Sequence, residues 1–511
     1  MKTRNSIFSF VVRFLSAIVT GVMSIIINNL IITNYGSDVN GLVATVGQVL
    51  NLLTIFEGGV TMATIVYLYG PYTRRDYSQI NKTLSATNKI YRRLALSIFV
   101  ISIIISFSSP YIISSNVDKF TISALFFMGS LQMVFSFLIS NKYSIMFSVS
   151  NQEYKYGLIT LSYTFLSMIL SVVVLIANFP ILIQRTIILI VPIIFTPLIS
   201  FVSNRNFPLI DFNGNNPDYA ILKNTKEVFV QKIASLLLSS SSIVILSIFI
   251  NTKTASVYSV YNTIYMFIKL VLFSAFLAPL NAFGQLFSEN NMEILKHKYG
   301  LYQLITIIMT SILLSTTYVL ILPFIKLYTI GVEDINYTNF LYPIFFSLAV
   351  FLESLSTILG GFSNYIGAFK EAKKIVIIGT IANIVTGLSL VFTYDIIGIL
   401  MSIIIAYLIM LIFQVLLVHN KILKNGPSGL IRYLLVNIAL FTSIIVIKNQ
   451  INFEYNSYLD FVLYGFSSVI IIGFLFGCVN LLIFKKLRKE IIIRIKHLII
   501  IFNNNEKRRL K

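Results

Sequence analysis

Five ionisable side chains interrupt runs of sequence that are otherwise apolar: Arg13, Glu57, Lys232, Lys269 and Glu353. A charge at the centre of a bilayer costs about 2.5–3.5 kcal/mol on insertion scales, so it normally faces a partner or a wet cavity. Lys269 lies about 13 residues from the outer end of its apolar run and Glu353 about 14. At roughly 1.5 Å per residue both reach the midplane. Arg13 and Lys232 lie one to two turns from the opposite end, where a long side chain can snorkel to the headgroups. Glu57 is deep in its run, at a depth similar to Arg13.

This set has two chemical readings. In the first, Arg13, Lys269 and Lys232 hold the anionic head of a ligand, and Glu57 and Glu353 bind a coupling ion, H+ or Na+, or act in gating. In the second, Arg13–Glu57 and Lys269–Glu353 are structural ion pairs. Amides in the apolar runs add weaker candidates. Asn51, Gln48 and Asn262 can contact a sugar, as can Asn28, Asn29, Gln132 and Asn141, although intramembrane amides more often join helices. Gly58–Gly59 and Gly360–Gly361 permit close packing or a bend. Catalytic signatures are missing. There is no P-loop, nucleophile elbow or zinc motif, and His297, His419 and His497 stand apart. The single cysteine, Cys478, lies in an apolar run. No enzyme activity and no cofactor are expected.

The elements that position these residues follow from composition. The chain has 511 residues, 57% hydrophobic and 11% charged, where a soluble domain carries about 25% charged residues. Mean hydropathy is +0.86. The net charge of +20 sits in short loops and in the tail, which points to an anionic membrane surface and away from nucleic acid. Without Trp, Tyr and Phe must supply the interfacial belt. The first apolar run follows Lys2 and Arg4, is too long for a signal-peptide core, and reads as a retained span.

A span needs about 20 apolar residues, and fourteen runs qualify: 7–33, 39–69, 91–113, 121–149, 155–177, 180–202, 228–250, 256–286, 299–327, 339–366, 374–393, 396–418, 430–448 and 459–484. With the N-terminus inside, 31 of the 39 Lys and Arg fall in cytoplasmic segments and five, including Arg185, in external ones. This asymmetry predicts a multi-pass cell-membrane protein with both termini cytoplasmic.

The expected organisation is a six-helix bundle over 1–203, a cytoplasmic linker over 204–227 and a second six-helix bundle over 228–418. Transmembrane helices 13 and 14 fill 430–484, and a basic tail occupies 485–511. The bundles look like repeats. "GSDVNGLVATVGQVLNLL" aligns with "NTKTASVYSVYNTIYMFI", placing Gly41 on Ser256, and "FSVSNQEYKYG" aligns with "YIGAFKEAKKI". Six spans per repeat make the repeats parallel, with a central cavity between them. The tail mixes Ile491, Ile492, Ile495 and Ile499 with Arg488, Lys489, Lys496 and His497, as an interfacial helix on anionic lipid would.

Three features resemble the polysaccharide transporter family of the multidrug/oligosaccharidyl-lipid/polysaccharide exporter superfamily. They are "NNLIITNYGSDVNGLVATVGQVLNLLTIFEGGVTMA", "ASVYSVYNTIYMFIKLVLFSAFLAPLNAFGQLFSE" and the all-α plan of 14 transmembrane helices in two parallel bundles plus two. The resemblance implies an undecaprenyl-pyrophosphate-linked oligosaccharide substrate and ion-driven alternating access. Arg13, Lys269 and Lys232 are the positions here that match its cationic cavity residues. Polysaccharide polymerase machinery is a further expected partner. Lipid II flippases of the same superfamily show several arginines in the first span, where this chain has only Arg13. A multidrug or cation antiporter of the same fold is the other alternative.

Overall fold

The computed structural model describes residues 2–57, 59–214, 217–219, 226–277, 279–450, 457–485 and 488–490. Among the described residues sixteen α-helices follow one another and no strand occurs. They are α1 Lys2–Leu53, α2 Val60–Arg74, α3 Tyr77–Ile112, α4 Lys119–Phe135, α5 Asn141–Val149, α6 Glu153–Ile176, α7 Ile181–Ile194, α8 Thr196–Asn206, α9 Lys226–Phe249, α10 Thr252–Leu277, α11 Leu280–Ser288, α12 Met292–Tyr328, α13 Leu341–Tyr365, α14 Phe369–Val415, α15 Ser428–Gln450 and α16 Tyr458–Ile483. Helix is the form these sequences must take in lipid, because it satisfies every backbone amide within its own segment.

Among the described residues, twelve helical stretches are long and apolar enough to cross a membrane. Two of them are hairpins, which reconciles twelve with the fourteen expected runs. In α1 the backbone breaks at Gly36 (φ 84, ψ 171), a conformation that suits glycine. From Gly36 towards the N-terminus Asn28 meets Thr263 and Gly21 faces Phe267, and in the other direction Thr45 meets Ser247 and Asn51 meets Ser240, so both arms lead away from the α9–α10 turn. The two arms of α1 therefore run back along each other. In α14 the break is at Asp395 (φ 48, ψ −123), and a Cβ on Gly387 would lie 3.2 Å from Ser402 Oγ, across the fold.

Several spans are broken inside. The second ends its first part at Leu53, makes a 3-10 turn over Thr54–Glu57, passes left-handed Gly59 (φ 75), and restarts as α2. A π turn over Ser136–Ser140 separates α4 from α5, and Pro279 caps the start of α11. Gly58 lies outside the described residues, as does the tail beyond Glu490 with its expected interfacial helix.

The chain packs as two compact units. The first comprises Met1–Phe267, Thr329–Tyr337 and Lys373–Ala406, and the second Ile268–Tyr328, Thr338–Ala372 and Tyr407–Lys511. In the first unit, α1 packs along α6 and α9, and α3 along α4. One core gathers Leu68, Leu84, Tyr91, Ile98 and Ile145, and another gathers Ile31, Leu42, Phe126 and Leu175. The described part of the linker is bound along α3. Asn88 Nδ2 donates to Phe212 O (3.1 Å), Ser85 Oγ to Gly214 O (2.6 Å) and Gln79 Nε2 to Asp218 Oδ2 (2.6 Å). At the start of α4, Asp118 accepts from Thr121 N (2.8 Å), and this capping bond holds its carboxyl below the usual range.

In the second unit α12 is enclosed by α13, α15 and α16, as an all-round apolar helix should be. Tyr299 stacks on Phe362 with ring centres 4.0 Å apart. Gly360 and Gly361 allow close packing, as expected: a Cβ on Gly361 would meet Leu280 Cδ1 at 2.6 Å. Asn437 and Asn480 exchange reciprocal amide bonds of 3.2 Å between α15 and α16. The outer face of α16 leaves Phe466, Ile470, Phe474 and Leu482 exposed, a surface for lipid.

Candidate functional site

Lys269 on α10 meets Glu353, midway along α13, through Nζ···O distances of 3.0 and 3.2 Å. The two side chains are 15% and 19% exposed. Both were placed near the midplane by counting residues, and the second expected ion pair is present.

The expected Arg13–Glu57 pair is not formed. The first arm of α1 runs parallel to α6, which brings Arg13 against Glu153 in the first turn of α6. Gly157 permits that approach, since a Cβ there would meet Val12 Cγ1 at 3.0 Å. Glu57 sits instead at the break between α1 and α2, which turns it towards α9. There it accepts from Lys232 Nζ (3.2 Å) and from the Thr61 hydroxyl, which also bonds the buried Tyr91 hydroxyl. The partner of each is fixed by helix azimuth and by the break.

Removing the charge of Glu57 should therefore cost stability through Lys232. Glu57→Gln is expected to lower unfolding free energy by about 1–2 kcal/mol, discounted for partial exposure. A melting series on detergent-purified protein, with Lys232→Met and the double variant, checks this. Strictly additive losses would show that the two groups do not interact.

Around Arg13 and Glu153 lies a cavity of 380 Å³ lined by hydroxyls of Ser9, Ser16, Ser144, Ser148 and Thr160. Hydroxyls and a guanidinium are groups that bind sugar hydroxyls and phosphate oxygens. The Arg13 side chain is 71% exposed even while paired. Of the sugar-contact candidates, Asn51 is engaged between helices, donating to Ser240 Oγ at 2.8 Å. Gln48 and Asn262 are half-buried, and their amides make no hydrogen bond among the described residues.

Arg185 was assigned to an external segment, yet the structure places it in α7, with a buried Nε that has no hydrogen-bond partner among the described residues. Ile183, Ile190 and Ile194 form the exposed stripe of α7, and Arg185 points the opposite way by helical angle. The signal was available, since Arg185 falls five residues inside the apolar run 180–202.

The ends of the helices with short loops are sealed within the first unit. Asp38 accepts from Ser115 Oγ (2.9 Å), Asn116 N (2.9 Å) and the Thr252 hydroxyl. Asp334 accepts from Ser37 N (3.0 Å) and Ser37 Oγ (2.6 Å), with Lys253 Nζ at 3.9 Å. Burial pushes the Tyr337 phenol up to about 12, so it stays protonated and donates to Ser37 Oγ at 2.7 Å. Asn40 Nδ2 donates to Ser256 Oγ at 2.7 Å, and a Cβ on Gly41 would lie 1.7 Å from Thr252 O. Gly41 and Ser256, aligned by the sequence repeat, thus lie against each other. The other aligned pair, Glu153 and Glu371, occupies the first turns of α6 and α14, and each carboxylate holds a cation, Arg13 and Lys421.

The arrangement defines an all-helical, multi-pass membrane protein with paired charges inside its spans. No protein-family profile matches the chain, and no curated protein matches it significantly. Solved structures do. A lipid II flippase, MurJ, in an inward closed conformation is 16% identical, with TM-score 0.69 over 93% of this chain and 98% of its own. A MATE family multidrug transporter in its inward-facing conformation is 13% identical, with TM-score 0.62 over 79% of this chain and 97% of its own. An outward-facing MATE transporter is 13% identical, with TM-score 0.54 over 86% and 96%. The chain therefore has the fold of MOP superfamily transporters.

Proposed function

We propose that the chain is a flippase that moves an undecaprenyl-pyrophosphate-linked oligosaccharide repeat unit from the cytoplasmic to the outer leaflet. Ion-coupled alternating access drives it, and the product feeds polysaccharide polymerase machinery. The observation that carries this reading is that the three cations Arg13, Lys232 and Lys269 are each held by a single carboxylate, and none of the pairs is sealed from solvent. A pyrophosphate carries more charge than a carboxylate and offers more acceptor oxygens, so it can displace Glu153, Glu57 or Glu353 from its cation. The freed carboxylate then needs a proton or Na+, which links substrate entry to an ion. Arg13 lies in the hydroxyl-lined cavity at the end bearing the basic loops, which this reading assigns to the cytoplasm as the entry side.

The flippase structure accounts for more of this chain than the inward-facing transporter does, 93% against 79%. Cationic pairs also suit an anionic lipid head better than an organic cation. A lipid II flippase shares the pyrophosphate chemistry and differs in the sugar.

Proteoliposomes provide the test. Purified protein should move a polyprenyl-pyrophosphate oligosaccharide across the bilayer under an H+ or Na+ gradient. Arg13→Ala should reduce that rate to the protein-free level while leaving expression intact. Absence of flipping by the wild type under both gradients would refute the reading. A wild-type rate from Arg13→Ala would remove that residue from the mechanism.

A further inference from the structure

The first arm of α1 and α6 lie side by side along their length. At the end bearing the basic loops, a Cβ on Gly157 would lie 3.0 Å from Val12 Cγ1, and Glu153 holds Arg13. At the other end Asn34 Nδ2 donates to Leu175 O at 2.7 Å. From Val12 to Asn34 the helix rises about 33 Å at 1.5 Å per residue, close to the hydrocarbon thickness of about 30 Å.

One edge of this seam is apolar and exposed. On α1, Phe8, Leu15 and Val22 are set about 40–80° to one side of Val12. On α6, Leu158, Phe165 and Ile169 are set about 80–120° from Gly157 in the opposite sense. Two parallel helices turned in opposite senses from their contact line present those residues at one shared edge. The rings of Phe8 and Tyr154, with centres 5.9 Å apart, meet at that edge. All six side chains are 39–52% exposed. Tyr154 also lines the 380 Å³ cavity that contains Arg13. The exposed edge therefore begins at the mouth of the cavity that holds the cation.

We propose that this edge is the track for the isoprenoid chain of the carried lipid, entered past Phe8 and Tyr154. This role rests on the flippase reading and adds the place of the hydrocarbon. Exposed apolar side chains select no occupant by themselves, because lipid tails are as apolar as Leu. The tether selects it. A pyrophosphate held at Arg13 keeps its own chain beside Tyr154, so the chain meets the seam intramolecularly and stays while the headgroup is bound. Acyl chains of the surrounding lipid have no such anchor and exchange freely.

Photo-crosslinking of the full chain in proteoliposomes, with a radiolabelled polyprenyl-pyrophosphate oligosaccharide, tests this. Phe165→p-benzoylphenylalanine keeps an aromatic ring in the seam. It should capture the label about tenfold more than Phe474→p-benzoylphenylalanine on the exposed face of α16, as a tethered chain would. Leu15→p-benzoylphenylalanine probes the same edge from α1 and serves if the first probe folds poorly. Adding Arg13→Ala to either seam probe should return capture to the α16 level. Seam capture undiminished by Arg13→Ala would be ordinary lipid contact and would overturn the track. Flipping by the wild type, with both seam probes capturing no more than the α16 probe, would also overturn the track and leave the flippase reading standing. Absence of flipping by the wild type would overturn that reading, and the track with it.

Discussion

A single methyl group at Gly41 is expected to destroy the sealed arrangement of the short-loop ends and to stop transport. The added Cβ would lie 1.7 Å from Thr252 O, 2.6 Å from Thr252 C and 3.0 Å from Ser256 N. These are backbone atoms, so no rotamer change relieves the overlap, and the second arm of α1 must move away from α10. That motion parts Asn40 from Ser256, Asp38 from Thr252 and Thr45 from Ser247 together. Gly41→Ala should therefore reach the membrane yet fail to cycle through this state. A cysteine at the fully buried position 256 reports on it. Ser256→Cys should resist an impermeant maleimide in the wild-type background and react readily beside Gly41→Ala. Gly47→Ala, with nothing within 4 Å, is the control and should behave as wild type. Normal transport and continued protection in Gly41→Ala would mean that the helices never approach so closely.

The same contact shows what the sequence made legible. Gly41 and Ser256 were matched by a weak repeat, and such a match survives because the crowded meeting point of two helices tolerates only small residues. The spans were legible because lipid demands long apolar helices with basic loops at one end, and both are one-dimensional properties. Depth is one-dimensional too, so Lys269 and Glu353 were correctly placed opposite each other. Azimuth is not. Whether Arg13 meets Glu57 or Glu153 depends on the rotation of α1 against α6, and on a 3-10 turn ending at Glu57 whose only sequence trace is the following Gly58–Gly59. Lys232 read as a snorkelling residue for the same reason, since its partner comes from a break in another helix. Arg185 was lost differently. A tally of loop charges absorbed a residue that the apolar run already contained.

The pairing leaves one question on which the mechanism turns, whether Lys269 serves a ligand or only Glu353. Lys269→Ala strands a carboxylate that is 19% exposed at mid-depth. Breaking one side of a buried pair costs about 3–5 kcal/mol, and the partial exposure here favours the lower end. A loss of about 3 kcal/mol from substrate binding would cut transport by roughly a hundredfold. Stability and transport can be separated by removing both charges. Lys269→Ala/Glu353→Gln has no stranded ion, so its melting temperature should return most of the way to wild type. If the ammonium binds the pyrophosphate, translocation of lipid-linked sugar should remain near background in that double variant. If the lysine exists only to neutralise Glu353, the double variant should transport as well as it folds. Recovery of transport alongside stability would reduce the pair to a structural bond and leave Arg13 and Lys232 as the cations available to a substrate. Recovery of stability alone would place Lys269 in direct contact with what is carried.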